Sequence, residues 1–142
     1  MNKNSMILKF NSLSENESFA RNVISCFALR LNPSLAEISD IKTAVSEAVT
    51  NCIVHAYPNE IGEITLESFI SDNAIHINVF DNGIGIDNLE EVSKPFCTTK
   101  ESQERAGMGF TIMKTFMDDF EVVTEKGIGT KVYMSKKIKA DK

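Results

Sequence analysis

Hydrophobic and polar residues recur with two different periods along this 142-residue chain, and the change of period separates helices from strands. A short apolar run at 6–10 predicts a first strand. Apolar residues then recur three or four positions apart over 19–31 and again over 35–53, the spacing of two amphipathic helices. Over 61–80 the period becomes two, and Ser71-Asp72-Asn73 divides this stretch into two strands of a hairpin.

Capping residues predict where the two helices begin and end. Ser14 followed by Glu17 matches the capping-box pattern, so we expect the first helix to begin there. Asn32-Pro33 predicts the start of the second helix, because asparagine is a good N-cap and proline is tolerated in the first turn. Tyr57-Pro58 is expected to end that helix.

The second half of the chain begins with a long segment, about 82–106, that has no sustained period. A connection of this length is usually functional, so we interpret it as a loop or lid over a site. Gly107 to Phe116 then predicts a short third helix, followed by strands at 120–124 and 129–135. This order predicts one α+β domain over 1–142: a two-layer sandwich with a mixed, mainly antiparallel sheet and helices on one face.

Composition narrows the function classes. Hydrophobic residues make up 42% and charged residues 25% of the chain, as in globular proteins. The net charge of -5 argues against direct nucleic-acid binding, which needs a basic surface. Of the 20 acidic residues, 17 lie in 36–125. This acidic centre is either a solvated surface, a cation-dependent site, or a face for a basic protein.

Cysteine usage and hydropathy point to the cytoplasm. The three cysteines are widely spaced and odd in number, which fits neither a disulfide framework nor a Cys-x-x-Cys metal pair. The first ten residues lack the apolar stretch of a signal peptide, and no apolar run is long enough for a membrane span. We therefore expect a soluble cytoplasmic protein without a membrane partner.

Glycine placement is the first indication of a ligand. Six of the seven glycines form three Gly-x-Gly pairs, at 83/85, 107/109 and 127/129. Glycine allows the backbone to approach a ligand closely and to wrap its N–H groups around phosphates. The pair at 107/109 is expected to open the third helix, where free N–H groups attract anions. Three unrelated structural turns are the alternative interpretation.

The second helix adds a polar pair, Glu47 and Asn51, which lie one turn apart on the same face, with His55 following. Their oxygen atoms suit one Mg²⁺ ion and one proton transfer. Taken alone, the pair could equally be the solvated side of an amphipathic helix, and His55 a packed, hydrogen-bonded residue.

Four segments in order along the chain together resemble the sequence boxes of the GHKL (Bergerat-fold) ATPases. They read Glu47-Ala-Val-Thr-Asn51-Cys-Ile-Val-His55-Ala-Tyr57, Asp81-Asn-Gly83-Ile-Gly85-Ile, Gly107-Met-Gly109-Phe and Gly127-Ile-Gly129-Thr130. Further segments are similar to the bacterial anti-sigma serine kinases, and most of all to the sporulation anti-sigma F family. These are Phe19-Ala20-Arg21, Arg30-Leu-Asn-Pro33, Lys94-Pro-Phe-Cys-Thr-Thr-Lys100 and Glu104-Arg105.

The resemblance implies an adenine site. Asp81 would accept a hydrogen bond from the amino group of adenine and would repel the carbonyl oxygen of guanine, so ATP would be preferred. Thr130 would help to fix the ring, and Gly83 and Gly85 would let the chain pass close to the base. Lys131 departs from the second threonine of many relatives, which should not disturb this contact.

The resemblance also implies a phosphate site beneath an ATP lid. Asn51 would hold Mg²⁺, and Gly107 and Gly109 would present a helix N-terminus to the phosphates. Glu47 would be the general base for a serine hydroxyl, and Arg105 would pair with the γ-phosphate. Three lid residues could also touch the phosphates: Thr98, Thr99 and Lys100.

By the same resemblance, the protein would hold a sporulation sigma factor (sigma F) and phosphorylate its anti-anti-sigma antagonist, with the nucleotide deciding which partner is bound. Arg21 on the first helix would face a partner, and the strand edge near 6–12 could form a homodimer. Three alternatives remain: a nucleotide-sensing module without catalysis, the ATP-binding half of a histidine kinase, and a stress-response kinase of the anti-sigma B type. The histidine kinase needs a helical hairpin with an acceptor histidine, and neither His55 nor His76 has that setting.

Overall fold

The computed structural model describes residues 4–58, 60–85 and 101–139, without the side chains of 101–106. Within these residues the chain forms five strands, three α-helices, a 3₁₀ turn at Leu29–Leu31 and a π-helical turn at Cys52–Ala56. The strands and helices in chain order are β1 (Asn4–Asn11), α1 (Asn16–Ala28), α2 (Leu35–Asn51), β2 (Glu63–Ser71), β3 (Ala74–Asp81), α3 (Glu101–Phe116), β4 (Asp119–Glu125) and β5 (Gly129–Lys137).

The strands form one sheet in the order β1-β2-β3-β5-β4, and every described pairing is antiparallel. Alternate residues of β3, Ile75, Ile77 and Val79, are buried against the helical layer, as the period of two requires. The α+β class and the sheet with helices on one face are therefore confirmed, and the sheet is antiparallel rather than mixed.

The core lies between the sheet and the helices, and α2 runs through its centre, packed on both α1 and α3. Apolar residues at helical spacing on α2 are fully buried against the sheet and its neighbours. They include Ile41, Ala44, Val45, Ala48 and Val49. The opposite side of the same helix is left for polar side chains, among them Glu47.

Both predicted helix starts are wrong by one or two residues. α1 begins at Asn16 after Glu15, which makes no side-chain cap. The Glu17 carboxylate, expected in a capping box with Ser14, accepts a hydrogen bond from Ser46 of α2 instead. α2 begins after Ser34, whose hydroxyl accepts from the Glu37 N–H at 3.1 Å while the Glu37 carboxylate accepts from the Ser34 N–H at 2.8 Å. Asn32 instead adopts a left-handed conformation at the end of the 3₁₀ turn.

The predicted start of the third helix is also wrong. α3 begins at Glu101, six residues before Gly107, so the Gly107–Gly109 pair lies inside a helix and not at its N-terminus. The first turn and a half of α3 therefore falls within the predicted lid segment 82–106, whose residues 86–100 lie outside the described part of the chain.

Candidate functional site

Glu47 and Asn51 project from α2 toward α3, as their spacing predicts. A Cβ placed on Gly109 of α3 would lie 3.1 Å from Glu47 Oε1 and 3.2 Å from Asn51 Nδ2. Real Cβ atoms seldom approach heavy atoms this closely, so glycine is what lets the two helices meet here. The structure therefore brings together three residues from two separate sequence segments.

Asn51 has a buried Nδ2 atom without a hydrogen-bond partner among the described residues. A buried unpaired amide costs free energy, and such a group commonly marks a site that a ligand completes. Its N–H suits a phosphate oxygen, and its carbonyl oxygen is a ligand type that Mg²⁺ accepts. In the described part of the chain no group of three acidic, histidine or cysteine side chains could hold a metal. This donor set fits a magnesium ion shared with nucleotide phosphates, which needs few protein ligands.

Glu47 is half-buried, and its electrostatic setting disfavours the carboxylate form. Burial raises the pKa of Glu47, and the negative charge of Glu17 raises it further. A raised pKa brings a carboxyl closer to the working pH and makes it a better general base. The environment of Glu47 is thus suited to accepting a proton.

Glu17 reaches this region from α1. Its Oε2 accepts a hydrogen bond from the Ser46 hydroxyl at 2.6 Å and pairs with Arg21 NH1 at 3.3 Å. The bond from Ser46 ties α1 to α2 next to Glu47, whereas the pair with Arg21 lies within α1. Sequence reasoning missed Glu17 and Ser46, because a contact between residues 29 positions apart leaves no local periodicity.

A groove of about 550 Å³ runs along the outer side of α2, next to α1. Glu47 lines one end of it, and Leu35, at the start of α2, lines it as well. Its walls carry two cations, three hydroxyl groups and two apolar side chains. The remaining lining residues are Arg21, Ile38, Ser39, Lys42, Thr43 and Ser46.

Asp81 ends β3 beside Cys52 of the π-helical turn that follows α2, and it is buried. Burial raises the pKa of Asp81, while hydrogen bonds from the Gly83 N–H, the Cys52 thiol and the Thr130 N–H lower it. The Gly83 bond is 2.9 Å long. Burial also raises the pKa of the Cys52 thiol, which keeps its proton available for Asp81. Three donors therefore hold the carboxylate in a fixed orientation.

The glycines after Asp81 allow close chain approach. A Cβ on Gly83 would overlap the Ala56 carbonyl, and one on Gly129 would overlap the Asp81 carbonyl. Gly85 adopts a φ of 76°, in the region that favours glycine. The Gly127 N–H donates to the Ile84 carbonyl at 2.7 Å, which joins this loop to the β4–β5 turn.

Thr130 lies directly opposite Asp81 in the β3–β5 ladder, and its hydroxyl contacts that of Thr124 at 2.8 Å.

Tyr57 closes the same region: its hydroxyl accepts from the Asn82 N–H at 2.9 Å and donates to the Glu63 carbonyl at 2.8 Å. His55 lies in the π-helical turn that follows Asn51. Tyr57 and Cys52 were not predicted as site residues, although both lie within the first matching segment.

Several predicted residues cannot be placed in this geometry. Thr98, Thr99 and Lys100 lie outside the described residues, and so does the side chain of Arg105 on α3. Gly107 lies inside α3, so its N–H does not stand at a helix N-terminus. Arg21 is described and borders the groove, where it pairs with Glu17. None of the described helices is both long and apolar enough to cross a membrane.

Comparisons with known proteins give a family match and several relatives of similar sequence. Residues 10–136 match the family described as the histidine kinase-like ATPase domain. The chain is 57% identical over 139 residues to a protein of Thermoanaerobacter sp. (strain X514) named anti-sigma F factor, covering 98% of this chain and 97% of that protein. A protein of the same name from Clostridium acetobutylicum is 52% identical over 137 residues, covering 96% of each chain.

Solved structures with low sequence identity share the fold. The RsbU and RsbW domains of a Mycobacterium tuberculosis protein align with a TM-score of 0.68 at 14% identity, over 95% of this chain and 32% of that one. The catalytic domain of the histidine kinase ThkA aligns with a TM-score of 0.58 at 15% identity, over 97% of both chains.

Proposed function

Because this chain belongs to the histidine kinase-like ATPase domain family, we propose that it is an ATP-dependent protein serine kinase that acts as an anti-sigma factor. It binds and inhibits a sporulation sigma factor (sigma F) and phosphorylates the anti-anti-sigma protein that opposes it. The supporting observation is the pair Glu47 and Asn51 on α2, set against Gly109 of α3. The name anti-sigma F factor, which relatives more than 50% identical carry, supports the choice of client.

The adenine of ATP binds beside Asp81. The ionised carboxylate accepts a hydrogen bond from the adenine amino group, while the donors from Gly83, Cys52 and Thr130 hold it in place. Guanine presents a carbonyl oxygen at the same position, which a carboxylate repels, so GTP binds more weakly. Gly83 and Gly85 leave room for the base.

The phosphates bind between α2 and α3. Asn51 would hold Mg²⁺ through its side-chain oxygen, and the ion would supply positive charge beside the transferring phosphoryl group. The unpaired Asn51 N–H supports this placement. Gly107 and Gly109 keep the α3 backbone close to the phosphates. Arg105 pairs with the γ-phosphate, and three lid residues give further contacts: Thr98, Thr99 and Lys100.

Glu47 is the general base of the transfer. The serine oxygen of the substrate protein forms a bond to the γ-phosphorus, the bond from that phosphorus to the bridging oxygen breaks, and ADP leaves. The serine proton moves to Glu47. Because burial and Glu17 raise the pKa of this carboxyl, it accepts the proton more readily than an exposed glutamate would.

The partners bind on the helical side, where Arg21 of α1 is one contact. A homodimer forms through β1, an edge strand of the sheet whose outer backbone groups are free to pair in the described structure. The protein works in the cytoplasm. Its effect on transcription requires no contact with DNA, because the sigma factor makes that contact.

Replacing Glu47 by Gln tests the assignment of the base. The variant keeps shape and ATP binding but loses the proton acceptor, so transfer from radiolabelled ATP to the anti-anti-sigma protein should fall about 10²–10⁴-fold. Glu67→Gln, on the sheet, is the matched control and should transfer normally. Normal transfer by Glu47→Gln would disprove the role of Glu47. Sigma-factor binding in ATP without transfer by the wild type would instead indicate a nucleotide-sensing module.

A further inference from the structure

The groove between α1 and α2 has a composition that differs from the rest of this acidic protein. It places Arg21 and Lys42 side by side with hydroxyl groups, whereas 17 of the chain's 20 acidic residues lie in 36–125. Lys42 forms no ion pair with any described residue, and Arg21 has a single carboxylate partner among them, Glu17. Lys42 thus offers its charge to an acidic ligand, and Arg21 offers a charge that it shares with Glu17.

Leu35 gives the groove an apolar end. It lies in the first turn of α2, and 90% of its surface is exposed. Leucine is among the residues most often buried, and here it lines a groove beside the half-buried Ile38. An apolar side chain of a partner that packs on Leu35 would remove this exposed surface from water, which favours contact at this end of the groove.

Glu47 lies at the other end of α2 and lines the same groove. We propose that this groove binds the acceptor segment of the substrate protein, with its serine at Glu47, an acidic side chain at Lys42 and Arg21, and an apolar side chain at Leu35. This inference rests on the proposed kinase function and specifies how the substrate is recognised.

Distances along α2 predict how far apart the contact residues lie in the substrate sequence. α2 rises about 1.5 Å per residue, so Lys42 and Glu47 are about 7.5 Å apart along the axis, and Leu35 and Glu47 about 18 Å. An extended chain covers about 3.3 Å per residue. The substrate should therefore carry its acidic residue two or three positions from the serine. Its apolar residue should lie about five positions from the serine, in the same direction along the chain.

Lys42→Glu tests the charge contact. Facing an acidic side chain, the new carboxylate should raise the KM for the anti-anti-sigma protein of the same genome at least about tenfold, which corresponds to about 1.4 kcal/mol. The kcat and the affinity for ATP should stay near wild type, because Lys42 is remote from the reacting atoms. Lys114→Glu, an exposed lysine of α3, is the control for a general charge effect.

Two further variants separate recognition from folding. Leu35→Ser removes the apolar contact without touching the core and should also raise KM alone. A substrate whose acidic residue two or three positions from the serine is changed to Lys should restore a low KM with Lys42→Glu. Circular dichroism should show native melting for each variant.

Three outcomes would overturn the inference while leaving the kinase assignment intact. One is an unchanged KM for both Lys42→Glu and Leu35→Ser. Another is a loss of kcat alone, without a change in KM. The third is a loss of sigma-factor binding with a normal KM for the substrate protein, which would mean that the groove binds the sigma factor instead. A wild-type protein that transfers no phosphate would contradict the proposed function itself.

Discussion

Glu47 is held where its charge is disfavoured, and this has a consequence for stability. Burial and then the charge of Glu17 raise the pKa of Glu47 above its ordinary value near 4.5. The folded chain therefore binds this proton more readily than the unfolded chain does. Stability consequently falls as the pH rises from 4.5 through the raised pKa, and above it the full destabilising effect is present.

We predict that Glu47→Gln increases the free energy of unfolding at pH 7 while it lowers the rate of transfer. Gln keeps the size of the side chain and removes the charge that burial opposes. The gain should shrink as the pH falls through the raised pKa and vanish below 4.5, where the wild-type carboxyl is protonated in both states. Urea titrations of both proteins between pH 4 and pH 8 would measure this.

Glu67→Gln, a substitution of the same kind on β2, serves as the control for this stability measurement. A constant difference between Glu47→Gln and wild type across the pH range would contradict the linkage. A destabilised Glu47→Gln at pH 7 would show instead that the carboxylate makes a favourable contact.

Contacts of single residues were the least predictable from the sequence. The roles of Glu47, Asn51 and Asp81 were expected from motifs, and the structure places them at the helix face and the strand end where those motifs predict. Glu17 was expected to cap its own helix, yet it bonds to Ser46 on α2. A local pattern and a tertiary hydrogen bond compete for the same carboxylate, and the sequence contains only the first.

At the scale of elements, α3 shows how packing decides a helix boundary. Glycine costs about 1 kcal/mol relative to alanine inside a helix, so Gly107 and Gly109 favour a helix start over a helix interior. The preceding residues, Glu101 to Ala106, are good helix formers. Tight packing of α3 on α2 at Gly109 then fixes the glycines within the helix.

Gly109→Ala tests this packing. The methyl group would lie 3.1 Å from Glu47 and 3.2 Å from Asn51, so these side chains must shift by a few tenths of an ångström. We predict a roughly tenfold loss of phosphotransfer, because small displacements at a reacting site are costly. Global stability should change little, since the better helix propensity of alanine offsets the crowding. Unfolding curves and transfer assays measure the two effects separately.

Met108→Ala, at the exposed neighbouring position of α3, should transfer normally and serves as the control. Full activity in Gly109→Ala would mean that α3 moves away from α2 during the reaction. The same result would show that phosphotransfer does not require glycine at position 109.

For the molecule as a whole, the order of elements along the chain and the two layers followed from periodicity, because the alternation in β3 and the helical spacing in α2 are long and regular. The order of the strands within the sheet came from the structure alone. The secondary structure of the segment 82–106 could not be predicted in this way, because its sequence lacks a period. The acidic centre at 36–125 has also become more specific, because it contains Glu47 and Asp81 of the candidate site and Lys42, which lines a groove together with Arg21 of α1.

Nucleotide binding should be visible as a change in the stability of the whole domain. A ligand at 100 times its Kd stabilises the folded state by about 2.7 kcal/mol. For a domain of this size we expect MgATP at that concentration to raise Tm by roughly 5–11 °C. Asp81→Asn loses the charge-assisted bond to adenine, worth about 1.5–3 kcal/mol, so its Kd should rise about 10–100-fold.

At the same MgATP concentration, Asp81→Asn should therefore gain only about 0.4–1.4 kcal/mol, and its Tm should rise by a few degrees at most. MgGTP should produce a small rise in the wild type, because a carboxylate at position 81 repels the guanine carbonyl. Glu67→Gln should respond to MgATP as the wild type does. An equal Tm rise in Asp81→Asn and wild type would place the base elsewhere, and the ring of donors around Asp81 would then be purely structural.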